Sequence, residues 1–141
     1  MSIDSNKAVA RKFIELSMAG DETGLENLCD PRASFHHAGM RDLDVKGYRK
    51  LDEDNHKAFP DMRWTIDELI GEGDYAVART TWRGTQKGPW RSIPPSNKQV
   101  MMPIVLVFRL SNGRISELWA EYDQLNLMVQ LEAIKAPQMM H

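Results

Sequence analysis

Asn112-Gly113 sits between two long strand-like runs, Val100 to Leu110 and Ile115 to Asp123. A two-residue type I′ turn needs positive φ at both central positions, and Asn-Gly supplies it readily. The pair therefore predicts an antiparallel hairpin and sets its register. Ser111 is expected opposite Arg114, Leu106 opposite Trp119, Ile104 opposite Glu121 and Met102 opposite Asp123. Opposed residues share a face of the sheet. One face should then carry Met102, Ile104, Leu106, Phe108, Glu117, Trp119, Glu121 and Asp123, with Val105 and Val107 on the other. Pro103 has no N–H for the ladder, so a bulge near it would shift the far end by one residue.

The rest of the chain sorts into helices first and strands after. Ser5 is placed to cap a helix carrying Val9, Phe13 and Leu16, which Gly20 ends. Asp21 is placed to cap a short second helix with Leu25 and Leu28, stopped by Asp30-Pro31. "ASFHHAG" reads as a short strand, and "VKGYRKLDEDNHKAF" as a third helix with Tyr48, Leu51 and Phe59 inward, broken by "FPD". From Met62 onward the alternation is that of strands: "MRWTIDELI", "YAVARTTWRG", then the Gly- and Pro-rich connection "TQKGPWRSIPPSNK" and the hairpin. A closing helix is expected over 124–135, and the tail "APQMMH" is expected to be loose. This order implies an α+β fold in one domain, residues 1–141, with helices on one side of a curved antiparallel sheet.

Composition narrows the function classes. The net charge is −2 with no basic run, so a nucleic-acid partner is not expected. No apolar stretch approaches the roughly 20 residues that span a bilayer, and the N-terminus lacks a signal-peptide core, so a cytoplasmic location is expected. Cys29 is the lone cysteine and reads as core. His36 and His37 are adjacent and point oppositely on a strand, which makes a poor metal site; no metal is expected. Nucleophile-elbow, phosphate-loop and dinucleotide motifs are absent from the sequence, "GEGDYA" lacking the third Gly.

What remains is Asp123, at the joint between the last strand and the closing helix. It is either that helix's cap or an acid/base at a pocket mouth. His37 reads as a satisfied His at a strand end, and His56 lies near the C-terminus of its helix, where a favourable dipole contact accounts for it. Trp64, Met102, Ile104 and Trp119 are candidate apolar walls, and Trp90 in the long loop is placed to cover a pocket mouth.

The segments "AFPDMRWTIDELIGEGDYAVARTTWRGTQKG", "SIPPSNKQV" and "FRLSNGRISELWAEYDQLNLMVQLEAI" resemble the SnoaL-like polyketide cyclase family. The resemblance implies a cone-shaped α+β barrel of the nuclear transport factor two-like type, enclosing a pocket for a hydrophobic, carbonyl-bearing small molecule. It implies a homodimer formed through the open sheet, and intramolecular aldol ring closure without metal or organic cofactor. It also makes Asp123 the matching acid/base residue, sets His37, in "HAG", on the pocket wall, and puts the helix of His56 over the cavity as its roof. Gln86 stands where many relatives have His, and "VMMPIVLVF" has none of the His that the cyclases pair with the Asp. A non-catalytic binding module of the same fold, or a relative turned to isomerase or hydroxylase chemistry, are the alternatives.

Overall fold

The computed structural model describes residues 2–135. The elements run α1 (Ile3–Ala19), α2 (Glu22–Asn27), β1 (Cys29–His37), α3 (Val45–Ala58), β2 (Arg63–Glu72), β3 (Tyr75–Thr85), β4 (Gln99–Ser111), β5 (Arg114–Tyr122) and α4 (Gln124–Gln130). The α+β class and the helix-first order are as read from the sequence. The tail, residues 136–141, lies outside the described residues.

Local chemistry explains most boundaries. Ser2, not Ser5, caps α1; Ser5 closes the capping box from the third helical position. Gly20 ends α1 with φ 73°, a conformation that costs glycine nothing. Asp21 and Asp44 cap α2 and α3 by accepting from the N–H groups of Gly24 and Gly47. Helix α4 stops at Gln130, five residues before the expected end at 135. Pro31 falls inside β1 rather than ahead of it, which is tolerable because β1 is an edge strand whose pairing is irregular between Cys29 and Ser34.

The sheet order is β1-β5-β4-β3-β2, antiparallel except that β1 runs parallel to β5. Along β4, Val100, Met102, Ile104, Leu106, Phe108 and Leu110 are buried while their neighbours face outward. Helix α1 lies across β2 and β3, and α3 against β1, so the inner face of the sheet and the helices enclose the core.

The hairpin register differs from the expectation beyond its first pairs. Asn112 and Gly113 have φ 53° and 77°, and Ser111 pairs with Arg114, as the turn requires. Leu110 pairs with Ile115, but Arg109 then pairs with Glu117, leaving Ser116 as an extra residue. This bulge is near the turn, not at Pro103. Ser116 Oγ fills the gap by donating to the Arg109 carbonyl at 3.0 Å. Beyond it, Val107 faces Trp119, Leu106 faces Ala120, Val105 faces Glu121 and Ile104 faces Tyr122. A one-residue slip exchanges the faces. Leu118, Ala120 and Tyr122 therefore point inward, while Glu117, Trp119 and Glu121 share the outer face with Val105 and Val107.

Helices α1, α2 and α3 meet at a buried polar cluster. Ser17 Oγ donates to Asp52 Oδ1 at 2.5 Å, and His56 Nε2 donates to the Ser17 carbonyl at 2.7 Å. Burial raises the Asp52 carboxyl, and burial together with its hydrogen bond to Asp52 pushes Glu22 up to about 7. Glu22 Oε2 and Asp52 Oδ2 have no other hydrogen-bond partner among the described residues. One proton shared between the two carboxyl groups satisfies both. A carboxyl whose folded-state value is raised stabilises the fold below its unfolded value and loses that contribution as pH rises through the folded value. Glu22→Gln is therefore expected to remove a fall in stability between about pH 4.5 and 7, read as the difference from wild type in urea unfolding at several pH values. A difference that does not change with pH across that window would refute the shared proton.

Candidate functional site

A cavity of about 50 Å³ lies between α3, the inner sheet face and the loop over 86–98. Its apolar wall includes Trp64, Trp82, Trp90, Met102, Ile104 and Leu127. Trp64 is held in place by donating from Nε1 to Thr80 Oγ1 at 2.7 Å, and Thr80 donates on to the Ile104 carbonyl at 2.7 Å. The polar wall is formed by His37 from the end of β1, Tyr48, Asp52 and Asn55 from α3, Arg91 from the loop and Tyr122 from the end of β5.

His37 reaches the cavity because the parallel pairing sets it beside Ala120, an inward position, and sends His36 outward beside Trp119. Burial, with the Arg91 charge nearby, lowers His37 to about 4, so its imidazole is neutral at pH 7. Its Nδ1 is buried without a hydrogen-bond partner among the described residues. His36 has the opposite environment. It lies 2.7 Å from Glu117 and 2.7 Å from Asp42, stacks on Trp119 at 5.2 Å, and is raised above 6.5 by its bond to Glu117 and then by Asp42.

The loop over 86–98 is organised by Gln86, which is fully buried. Gln86 donates to the Ile93 carbonyl and accepts from the Ser96 N–H, both at 3.1 Å. It is a loop anchor, which accounts for an amide at this position. Trp90 pairs with Ile93 through both backbone hydrogen bonds and is 6% exposed, so it covers the cavity. Arg91 follows at φ 54°, with its guanidinium 4.5 Å over the Trp90 ring.

Of the residues singled out from the sequence, His37, Trp64, Met102 and Ile104 line the cavity and Trp90 covers it. Trp119 does not, because the Ser116 bulge turns it to the outer face. His56 does not; its Nε2 is engaged by the last turn of α1. Asp123 is exposed and not part of the cavity wall. Its carboxylate accepts from the Asn126 N–H at 2.8 Å, which is the work of a cap for α4. Arg91 and Tyr122 were missed. Tyr122 was legible in the spacing of Ile115 and Leu118, since two inward apolar residues three apart on a strand require a bulge between them. Nothing in the local sequence marks Arg91.

The model of the SnoaL-like polyketide cyclase family matches residues 7–131. The chain belongs to the SnoaL-like polyketide cyclase family. No curated protein matches this family member. Among solved structures it is similar to TsrD from Streptomyces laurentii, with 28% identity over 95% of this chain and 99% of that one and a TM-score of 0.85. It is also similar to IdmH, a candidate polyketide cyclase from Streptomyces antibioticus (26%, covering 90% and 98%, TM-score 0.79). AclR, a candidate hydroxylase from Streptomyces galilaeus, shares the fold at 22% identity, covering 94% and 99% with a TM-score of 0.84. The nuclear transport factor two-like cone read from the sequence is thus the fold of this SnoaL-like chain. No helix among its described residues is long and apolar enough to cross a membrane.

Proposed function

We propose that this SnoaL-like protein carries out acid/base chemistry without a cofactor on a hydrophobic, carbonyl-bearing small molecule, with His37 as the base. The observation that carries the reading is the neutral imidazole of His37 on the cavity wall, with Nδ1 buried and unpartnered. A buried polar atom without a partner is costly, and a ligand supplies the missing bond. His37 is unprotonated at working pH, the first requirement of a base; burial to about 4 weakens it, and an oxyanion formed beside the imidazolium would restore its strength. Asp123, the residue the family resemblance indicates, is occupied as a cap.

For an intramolecular aldol closure the steps balance without a redox partner. The imidazole takes a proton from the carbon next to a carbonyl, and the electron pair moves to that carbonyl oxygen as an enolate. The enolate carbon bonds to a second carbonyl carbon of the same molecule, whose oxygen becomes an alkoxide. The imidazolium returns its proton there. The chain's task is to hold two carbonyls together in an apolar enclosure and stabilise the oxyanions.

A small-molecule site ordinarily occupies about 300 Å³ or more, against about 50 Å³ here. A neighbouring hollow of about 130 Å³ also borders Leu51, Asn55, Trp90 and Arg91. Displacing the Trp90 turn enlarges the space, so this reading includes entry past that turn. Mass spectrometry of metabolites retained by the purified protein tests it. A retained carbonyl compound that the protein converts to a cyclised isomer is the expected result. A compound that is retained but never converted would favour the binding module.

A further inference from the structure

We infer that Arg91 and Tyr122 form an oxyanion subsite at the cavity mouth, so that the ligand presents an acidic or enolisable oxygen there. The inference rests on the reading of this cavity as the ligand site. Arg91 Nη2 donates to Tyr122 Oη at 3.2 Å. With its amide turned so that both ends are satisfied, Gln124 accepts from Arg91 Nη1 and donates to the Ala38 carbonyl at 3.2 Å. The guanidinium is thus fixed by a phenol, an amide and the Trp90 face.

All of these partners are neutral. None of the ion pairs among the described residues involves Arg91. The neighbouring imidazole of His37 is uncharged as well. Arg91 is exposed at the rim of the cavity, and a cation placed there without a carboxylate partner is a selective element for an anionic oxygen. Tyr122 adds a second donor. Its oxygen accepts from Arg91, and this is its one hydrogen bond among the described residues, so its own hydrogen is free for a ligand. Tyr122 is half-buried, and burial raises its phenol above the ordinary value, so it stays a donor at neutral pH. His37 and Tyr122 have ring centroids 6.2 Å apart, close enough for one small molecule to touch both. A proton removed at His37 would leave negative charge on an oxygen within reach of Arg91 and Tyr122. The same pair would bind a stable carboxylate or phenolate of similar size.

The test uses two probes of one shape, 2-naphthoate and its uncharged amide, titrated into the protein by calorimetry. Wild type is expected to bind the carboxylate about tenfold or more tightly than the amide, the usual strength of a charge-assisted bond. Arg91→Met should erase that preference while moving amide affinity by less than about threefold, and Tyr122→Phe should weaken the carboxylate several-fold. Arg91→Lys, which keeps the charge but not the fork, should retain part of the preference. Near-ultraviolet dichroism confirms that each variant is folded. Equal affinity for the two probes in wild type, or a preference that survives Arg91→Met, overturns the oxyanion subsite and leaves the cavity reading intact. Equal loss of both probes in Arg91→Met overturns it too, since the loop would then be acting only as a cover. If wild type binds neither probe, the cavity reading falls and the subsite falls with it.

Discussion

His37 is expected to titrate near pH 4 while His36, its neighbour in the chain, titrates above 6.5, when the two imidazoles are followed by NMR. Burial costs the imidazolium of His37 its hydration and gives no carboxylate in return, whereas Glu117 and Asp42 hold the His36 proton from both sides. A group whose folded-state value lies below its unfolded value binds fewer protons in the folded state, so His37 contributes a loss of stability as pH falls from about 6.5 toward 4. Its slope is opposite to that of the Glu22–Asp52 pair. In catalysis the effect is larger. His37→Phe keeps the ring and removes the base, and turnover of a substrate found by retention should fall by about two to four powers of ten. Asp123→Asn should change it by no more than a few-fold, because Asn caps a helix about as well as Asp. A large loss of turnover in Asp123→Asn with little change in His37→Phe would reverse the roles and restore the residue that the family resemblance indicates.

Leu118→Asp is expected to unfold the protein or cost about 4 kcal/mol or more in urea unfolding, because it buries a carboxylate with no partner. Leu118 is fully buried opposite Phe108. Trp119→Ser, one position on, should cost about 1 kcal/mol in the monomer, since Trp119 is half-exposed and its main contact is the His36 ring. The unshifted hairpin register predicts the reverse ranking, so the pair of variants tests the Ser116 bulge directly. Trp119 also bears on the expected homodimer. Among the described residues, the outer face bears Met101 (52% exposed), Val105 (37%) and Pro103 beside Trp119. These apolar side chains, set among Arg79, Arg83, Glu117 and Glu121 on the same face, suit a second copy of the chain. Light scattering should report a dimer for wild type and a higher dissociation constant for Trp119→Ser; a 16 kDa species alone at micromolar wild type would refute the dimer.

The elements and their order are legible in short stretches of chain. Asn112-Gly113 placed the hairpin, Gly20 and Asp21 bounded the first two helices, and the alternation along β4 assigned its inward residues, because each signal acts over a few residues of chain. The family is legible as well, through motifs spread along the second half of the sequence. Trp64, Met102 and Ile104 were legible as wall residues because strand alternation decides such positions locally, and His37 through the family resemblance of "HAG". The remaining placements depend on the closed fold. A single extra residue, Ser116, exchanged Trp119 and Glu121 for Ala120 and Tyr122 on the inner face, because a period of two carries any one-residue slip to the end of the strand. Asp123 was a cap or a base from sequence alone; its exposure and its bond from the Asn126 N–H favour the cap. Arg91 belongs to the site only because the loop folds back over the cone and sets its guanidinium beside Tyr122, from a residue 31 positions away in the chain. Such a meeting is a property of the closed fold, which no local pattern encodes.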